Sequence, residues 1–293
     1  MASPHSKIPV LTIFWRLLKI SANSWIENKS ARLGAALAFY SVLSLAPLLL
    51  LVMNIASFFW GAEAAQGQIV SQMSSIIGEQ GAEAIQNILT VSQNNKSTGL
   101  IAALMGGATL LFSASGAFGE LQDAMNIIWK AKPRQGTVWV LVRERFLSFT
   151  MVVGSGFLLL VSLLLSAWLA AAAAYMRGLL PDFIILMRLL DFIVGFGVVS
   201  FLFALAFKVV PDLSIRWRSV WPGGMLTAFL FIVGKMAISF YLTHTNLAST
   251  YGKAGSFVVL LVWVYYSAQI LFFGAEFTRA YSEYFNLHRK RSL

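Results

Sequence analysis

Between Arg32 and Glu63 the chain carries no charged residue, and the same holds between Lys96 and Glu120, between Arg145 and Arg177, and between Lys253 and Glu276. A helix needs about 20 apolar residues to cross a hydrocarbon core of roughly 30 Å, so each interval holds a full span. Two more apolar stretches are broken by charge: 183–207 contains Arg188 and Asp191, and 219–242 contains Lys235. The pattern predicts an all-α, polytopic membrane protein with six transmembrane helices at 33–60, 98–119, 146–175, 183–207, 219–242 and 254–275, forming a single membrane domain over 1–293. Composition agrees, with 58% hydrophobic and 12% charged residues, where a soluble domain carries roughly 25% charged. The first apolar stretch, Ile8 to Ile20, is interrupted by Arg16 and has no small-residue cleavage pattern, so it does not read as a signal peptide.

Six spans place both termini on one side, and the basic residues say which. Lys7, Arg16, Lys19, Lys29 and Arg32 precede the first span; Lys130, Lys132, Arg134, Arg143 and Arg145 separate the second and third. Lys208, Arg216 and Arg218 separate the fourth and fifth, and Arg279, Arg289, Lys290 and Arg291 follow the sixth. Only Lys96, Arg177, Arg188 and Lys253 fall to the other side, with Lys235 inside a span. Positive residues mark cytoplasmic segments, so both termini are expected in the cytoplasm. The same sorting accounts for the net charge of +10 without a nucleic-acid partner, because the basic residues follow the topology instead of gathering on one face.

Outside the spans, segment 8–26 places Val10, Phe14, Leu17 and Leu18 at helical spacing with Arg16 and Lys19 off that stripe, as in an interfacial amphipathic helix. Segment 61–97, the outer loop, carries Ile69, Met73, Ile76 and Ile77, then Ile85, Ile88 and Leu89 beyond Gly78 and Gly81. That spacing predicts two short amphipathic helices. Segment 276–293 is a cytoplasmic tail.

Charged groups inside a span are costly and usually face the bundle interior, where they pair or line a polar cavity. Asp191 lies roughly 12 Å and Lys235 roughly 10 Å from the outer surface at 1.5 Å per residue. Arg188, Asp191 and Lys235 are therefore a candidate substrate or ion site with surplus positive charge, or else a buried pair that fixes register. At the inner ends, Glu120, Asp123, Lys208, Asp212 and Glu276 form a candidate polar cluster, in which Glu120 and Asp123 are expected to pair with Lys208 or Arg216. Pro47 removes a hydrogen bond within the first span and is a candidate hinge or a static kink. The second span is rich in Gly and Ser, which lets helices approach closely.

Catalytic chemistry has little to stand on. The chain has no cysteine, and His5, His244 and His288 fall on three separate segments, so neither a thiolate nor a histidine metal centre is expected. No Gly-Lys-Ser/Thr phosphate loop is present. The expectation is a protein that is not an enzyme and needs no cofactor.

Four stretches carry a family resemblance: Ala36-Leu-Ala-Phe-Tyr-Ser-Val-Leu-Ser-Leu-Ala-Pro47; Gly119-Glu-Leu-Gln-Asp-Ala-Met-Asn-Ile-Ile-Trp129; Lys208-Val-Val-Pro-Asp212 with Trp221-Pro-Gly-Gly224; and Tyr251-Gly-Lys-Ala-Gly-Ser-Phe257 leading to Gly274-Ala-Glu-Phe-Thr278. Together, over about residues 25 to 285, they resemble the YihY/BrkB family of bacterial inner-membrane proteins. The resemblance implies a six-helix inner-membrane architecture and an envelope role, without an agreed biochemical activity. An older family label, ribonuclease BN, implies a tRNA-processing nuclease, which the scattered histidines argue against.

The function expected is movement of a lipid-like or anionic envelope-related substrate across or within the inner membrane. The alternative is a non-catalytic scaffold for envelope assembly. Expected partners are membrane lipid, such a substrate, and a second copy of the chain as a homo-oligomer.

Overall fold

The computed structural model describes residues 10–94, 116–131, 183–244 and 255–291, and every regular element among them is an α-helix. In chain order these are α1 (Val10–Glu27), α2 (Ser30–Trp60), α3 (Ala62–Asn94), α4 (116–129), α5 (Phe183–Val209), α6 (Trp217–His244) and α7 (Gly255–Arg291). The expected span 146–175 and most of 98–119 lie outside the described residues. Among the described residues, three helical segments are long and apolar enough to cross a membrane: Leu189–Val209, Trp217–Ile238 and Phe257–Phe285. Ser30–Leu45 adds a shorter apolar helical stretch.

The chain forms two compact units, each assembled from separated segments. One contains α1, Met125–Phe229 and the chain from Phe273; the other contains Lys29–Ala124 and Leu230–Phe272.

In the second unit, α2 and α3 are joined by Gly61 alone, whose φ of 80° lies in the left-handed region that a side chain disfavours. Its N–H donates to the Ser57 carbonyl and closes the end of α2. The two helices then pack through Leu49 and Met53 of α2 against Ala65, Ala84, Ile85 and Leu89 of α3, with Leu260 of α7 in the same cluster. This corrects the expectation of two short helices in the outer segment: α3 is one helix of 33 residues that passes through Gly78 and Gly81. A glycine in a helix costs about 1 kcal/mol. That is too little to break a helix held along its length against a neighbour. The helix assignment of α2 likewise continues through position 47, the candidate hinge, whose side chain lies outside the described residues.

In the first unit, α6 and α7 cross through matching Gly-x-x-x-Thr sequences, Gly223 to Thr227 and Gly274 to Thr278. A β-carbon on Gly223 would stand 1.7 Å from Thr278 Oγ1, and one on Gly274 would stand 1.8 Å from Thr227 Oγ1. Each threonine hydroxyl donates, at 2.7 Å, to the carbonyl of the glycine in its own helix. The hydroxyls are thus satisfied inside the helix that carries them, and the crossing is a pure packing contact between small residues. Gly224 also brings α6 close to α5, where its β-carbon would meet the Ser200 carbonyl at 2.6 Å.

In α1, Leu17 is buried while Arg16 and Lys19 are exposed. Its buried face packs on Phe277 and Ala280 of α7. Phe14 meets Phe277 edge-on with ring centroids 5.8 Å apart, while Asn28, just beyond the other end of α1, bonds Glu276. About 21 Å of α1 therefore spans a single residue step of α7. The first helix lies across the last, not along it. On its outer side Leu11, Trp15 and Ile26 are 78%, 71% and 66% exposed, an apolar stripe flanked by Arg16 and Lys19.

Candidate functional site

Seven consecutive residues of α7, Gly274 to Ala280, are buried on every side of the helix. Two of them are charged. Glu276 has no exposed surface and Arg279 is 6% exposed. The segment expected as a tail is a continuation of α7, and its first turn is the most enclosed part of that helix.

The surroundings of the pair are built by α1. Leu17, Ser21, Ser24 and Asn28 follow one another at helical spacing and share one face. The Ser21 hydroxyl is turned back onto the Leu17 carbonyl, which leaves Ser24 and Asn28 to reach outward. Asn28 Nδ2 donates to Glu276 Oε1, and Arg279 Nη2 donates to Ser24 Oγ at 3.0 Å. Arg279 Nη2 also lies 3.5 Å from Glu276 Oε2, and Arg279 Nε lies 3.9 Å from Glu283 Oε1, whose side chain is 61% exposed. Among the described residues, Glu276 Oε2 and Arg279 Nε and Nη1 are buried with no hydrogen-bond partner. Leaving such atoms unbonded costs about 1–3 kcal/mol each, more for charged groups.

A further positive charge comes from Lys130, which attracts the Glu276 carboxylate. Lys130 ends α4 with φ at 52°. Its N–H donates to the Ile127 carbonyl and the next N–H, of Ala131, reaches the Asn126 carbonyl, the paired bonds of a Schellman cap. Glycine is the usual residue at this position, so a lysine here holds a strained backbone.

The remaining inner-end residues fall into two local arrangements. Asn126 and Asp212 bond reciprocally: Asn126 Nδ2 donates to Asp212 Oδ2 at 2.8 Å, and the Asp212 N–H donates to Asn126 Oδ1 at 2.9 Å. Lys208 donates to the Ile215 carbonyl and stands 5.5 Å from the centroid of the Trp217 ring, which stacks on Phe201. These contacts fasten the α5–α6 connection. At Glu120, Arg32 of α2 supplies an opposing positive charge. Partial burial, reinforced by the Asp123 carboxylate one turn on, still holds the Glu120 carboxyl above its ordinary value.

The outer group is not enclosed. Asp191 on α5 and Lys235 on α6 are both exposed, and they belong to different units. The Arg188 side chain lies outside the described residues. An open cleft of about 440 Å³ on α3 is lined by Glu63, Gln66, Gly67, Val70, Ser71 and Gln86. Among the described residues no three His, Cys, Asp or Glu side chains gather as metal ligands.

Sequence reasoning found Glu276 but counted Arg279 only as a topology marker. The signal was present: Glu276 and Arg279 are three apart, on one helix face. Asn28 and Ser24 carry no such signal, because nothing local announces that the first helix crosses the last.

Comparison with known proteins places this geometry in a family. The model of the family described as Virulence factor BrkB matches residues 22–292. The chain is 23% identical over 264 residues to YfkH of Bacillus subtilis (strain 168), a protein named as ribonuclease-like, covering 89% of this chain and 90% of the relative. It is 27% identical over 275 residues to a UPF0761 membrane protein of Tolumonas auensis, covering 92% and 84% of the two chains. It is 28% identical over 251 residues to a UPF0761 membrane protein of Verminephrobacter eiseniae, of which it spans 57%. No solved structure matches the chain.

Proposed function

The chain belongs to the Virulence factor BrkB family of membrane proteins, and from that premise we propose that it moves a lipid-like or anionic envelope-related substrate across or within a bacterial inner membrane, without catalysing a covalent reaction. In this reading six helices span the bilayer and both termini are cytoplasmic, which puts Glu276 and Arg279 near the inner end of the last span.

One observation carries the proposal: a carboxylate and a guanidinium are buried within the apolar segment Phe257–Phe285, and three of their polar atoms find no hydrogen-bond partner among the described residues. A span that only holds a bundle together has no need of them, since packing such as the Gly223–Thr278 crossing suffices. Intramembrane ionisable groups instead mark the paths of substrates and ions. An anionic substrate supplies the acceptors that Arg279 lacks.

A scaffold for envelope assembly is the second reading, and the exposure of Asp191 and Lys235 favours it, because exposed charges suit contact with another protein.

Reconstitution separates the two. Vesicles of phosphatidylcholine containing fluorescent phosphatidylglycerol, with and without the purified chain, are treated with an impermeant quencher. Faster loss of the inner-leaflet signal with the chain present, slowed by Arg279→Gln, is the expected result. Equal rates with and without protein, at verified orientation and folding, would overturn transport and leave the scaffold.

A further inference from the structure

The buried pair on α7 carries more than a site of passage. We propose that Arg279 is the receptor for a phosphate-type oxyanion, that Glu276 occupies its place when the oxyanion is absent, and that binding is accompanied by uptake of one proton at Glu276. The proposal names the chemistry of the transport site and rests on that reading only for where the ligand goes next.

The first argument is the guanidinium. Arginine carries five N–H donors and no acceptor, and here Nη2 serves Ser24 and faces Glu276 while Nε and Nη1 bond nothing among the described residues. Planar guanidinium matches the oxygens of phosphate and carboxylate groups better than any other side chain. Of these, phosphate is the oxyanion that a membrane presents in quantity at the depth where its apolar core ends.

The second argument is charge. Among the described residues, the charged groups that face Glu276 are Arg279 and Glu283 of its own helix and Lys130 beyond α4; α1 presents the uncharged Ser24 and Asn28. Arg279 and Lys130 balance Glu276 and Glu283, so an added anion brings uncompensated negative charge to a buried place. A proton restores the balance. It goes to Glu276, because Glu276 is wholly buried while the Glu283 side chain is 61% exposed and keeps its charge in water. The released Oε2, protonated, becomes a donor to the oxyanion that displaces it, and Asn28 continues to hold Oε1.

The test is direct binding, independent of movement. The full chain in phosphatidylcholine nanodiscs is titrated calorimetrically with inorganic phosphate in one arm and with short-chain phosphatidylglycerol in the other. Each arm is run at pH 5.5, 6.5 and 7.5, in two buffers of different ionisation enthalpy. Phosphatidylglycerol, a monoanion across this range, is expected to bind with uptake of close to one proton; inorganic phosphate, which itself titrates within the range, is expected to show the same uptake once its own protonation is subtracted, and affinity is expected to fall by up to about tenfold per pH unit at the alkaline end. The probe that binds identifies the source, free anion or headgroup. Glu276→Gln keeps binding but removes the proton uptake and the pH dependence. Arg279→Gln weakens binding at least about tenfold, and Arg279→Lys, which retains the charge without the planar fork, falls between. Binding by the wild type with no proton uptake, or unchanged in Arg279→Gln, overturns the proposal, as does failure of both probes to bind folded wild type, which means a structural ion pair only. Should Arg279→Gln not fold, the loss of proton uptake in Glu276→Gln decides the question. If binding holds where vesicles show no lipid movement, transport fails and the site stands; the reverse pattern sinks the site and spares transport.

Discussion

Thr278 covers Gly223 so closely that a β-carbon on the glycine would stand 1.7 Å from the threonine hydroxyl oxygen and 2.9 Å from its β-carbon. Neither group has room to yield, because the hydroxyl is tied at 2.7 Å to the Gly274 carbonyl. Gly223→Ala is expected to destabilise the folded protein by about 1–3 kcal/mol, the usual penalty of overpacking. Gly223→Ala with Thr278→Ala recovers only part of this, since the two β-carbons remain under 3 Å apart unless the helices separate. Unfolding in mixed micelles, run as a double-mutant cycle, measures both. A full recovery in the double variant would place the clash elsewhere.

Asn126 and Asp212 form a second reciprocal contact, and its polarity can be tested by exchange. Asn126→Asp sets two carboxylates face to face and is expected to cost about 1–3 kcal/mol. Adding Asp212→Asn restores a donor to the pair while the backbone N–H of residue 212 keeps its acceptor. The double variant should therefore be more stable than Asn126→Asp alone. Thermal unfolding in detergent orders the three proteins, and a double variant worse than the single one would reject the pairing.

Lys130 is expected to separate stability from activity. Its left-handed backbone costs about 1–3 kcal/mol relative to a residue free of strain, so Lys130→Gly holds stability level or raises it by about 1 kcal/mol. The same change removes positive charge beside Glu276. Lipid movement or anion binding should fall in a protein that is no less stable. Unaltered activity would show that the lysine serves only the cap.

Glu120 gives a pH dependence with a defined sign. Its carboxyl holds a proton more tightly in the folded state than in the unfolded one. The folded state therefore binds more protons in the window between the two values, and stability falls as pH rises through that window. Glu120→Gln should raise the thermal midpoint at pH 8, and the gain should shrink toward pH 4, where the wild-type carboxyl is protonated as well. A gain of equal size at both pH values would mean that ionisation is not its cause.

Three long apolar helices are legible among the described residues, because an apolar stretch of some 20 residues has few other fates even where one or two charges interrupt it, as at Arg188, Asp191 and Lys235. The expected spans 183–207 and 219–242 agree with Phe183–Val209 and Trp217–His244 to within two residues. The expected span ends at 275, before the first charge, whereas the apolar segment of α7 runs on to Phe285 and the helix to Arg291. Hydropathy reports where a helix meets a change of surroundings, and the helix itself continues. The two Gly-x-x-x-Thr sequences are visible in the chain, but spacing alone does not say which helix each one packs against. Lys208 and Asp212 were found as polar residues at a helix end, while their bonding within one connection depends on backbone positions that no spacing rule supplies. Ser24 and Asn28 were illegible for a stronger reason. Their partners lie 255 and 248 residues away, and nothing in the first helix encodes the last.

That separation imposes an order of assembly. Ribosomes add roughly 5–20 residues per second, so α1 emerges roughly 10–50 s before the part of α7 that it crosses. During that interval the face bearing Leu17, Ser24 and Asn28 has no protein to rest on, whereas the opposite stripe of Leu11, Trp15 and Ile26 can already settle into the bilayer surface. The Asn28–Glu276 bond is therefore among the last contacts to close.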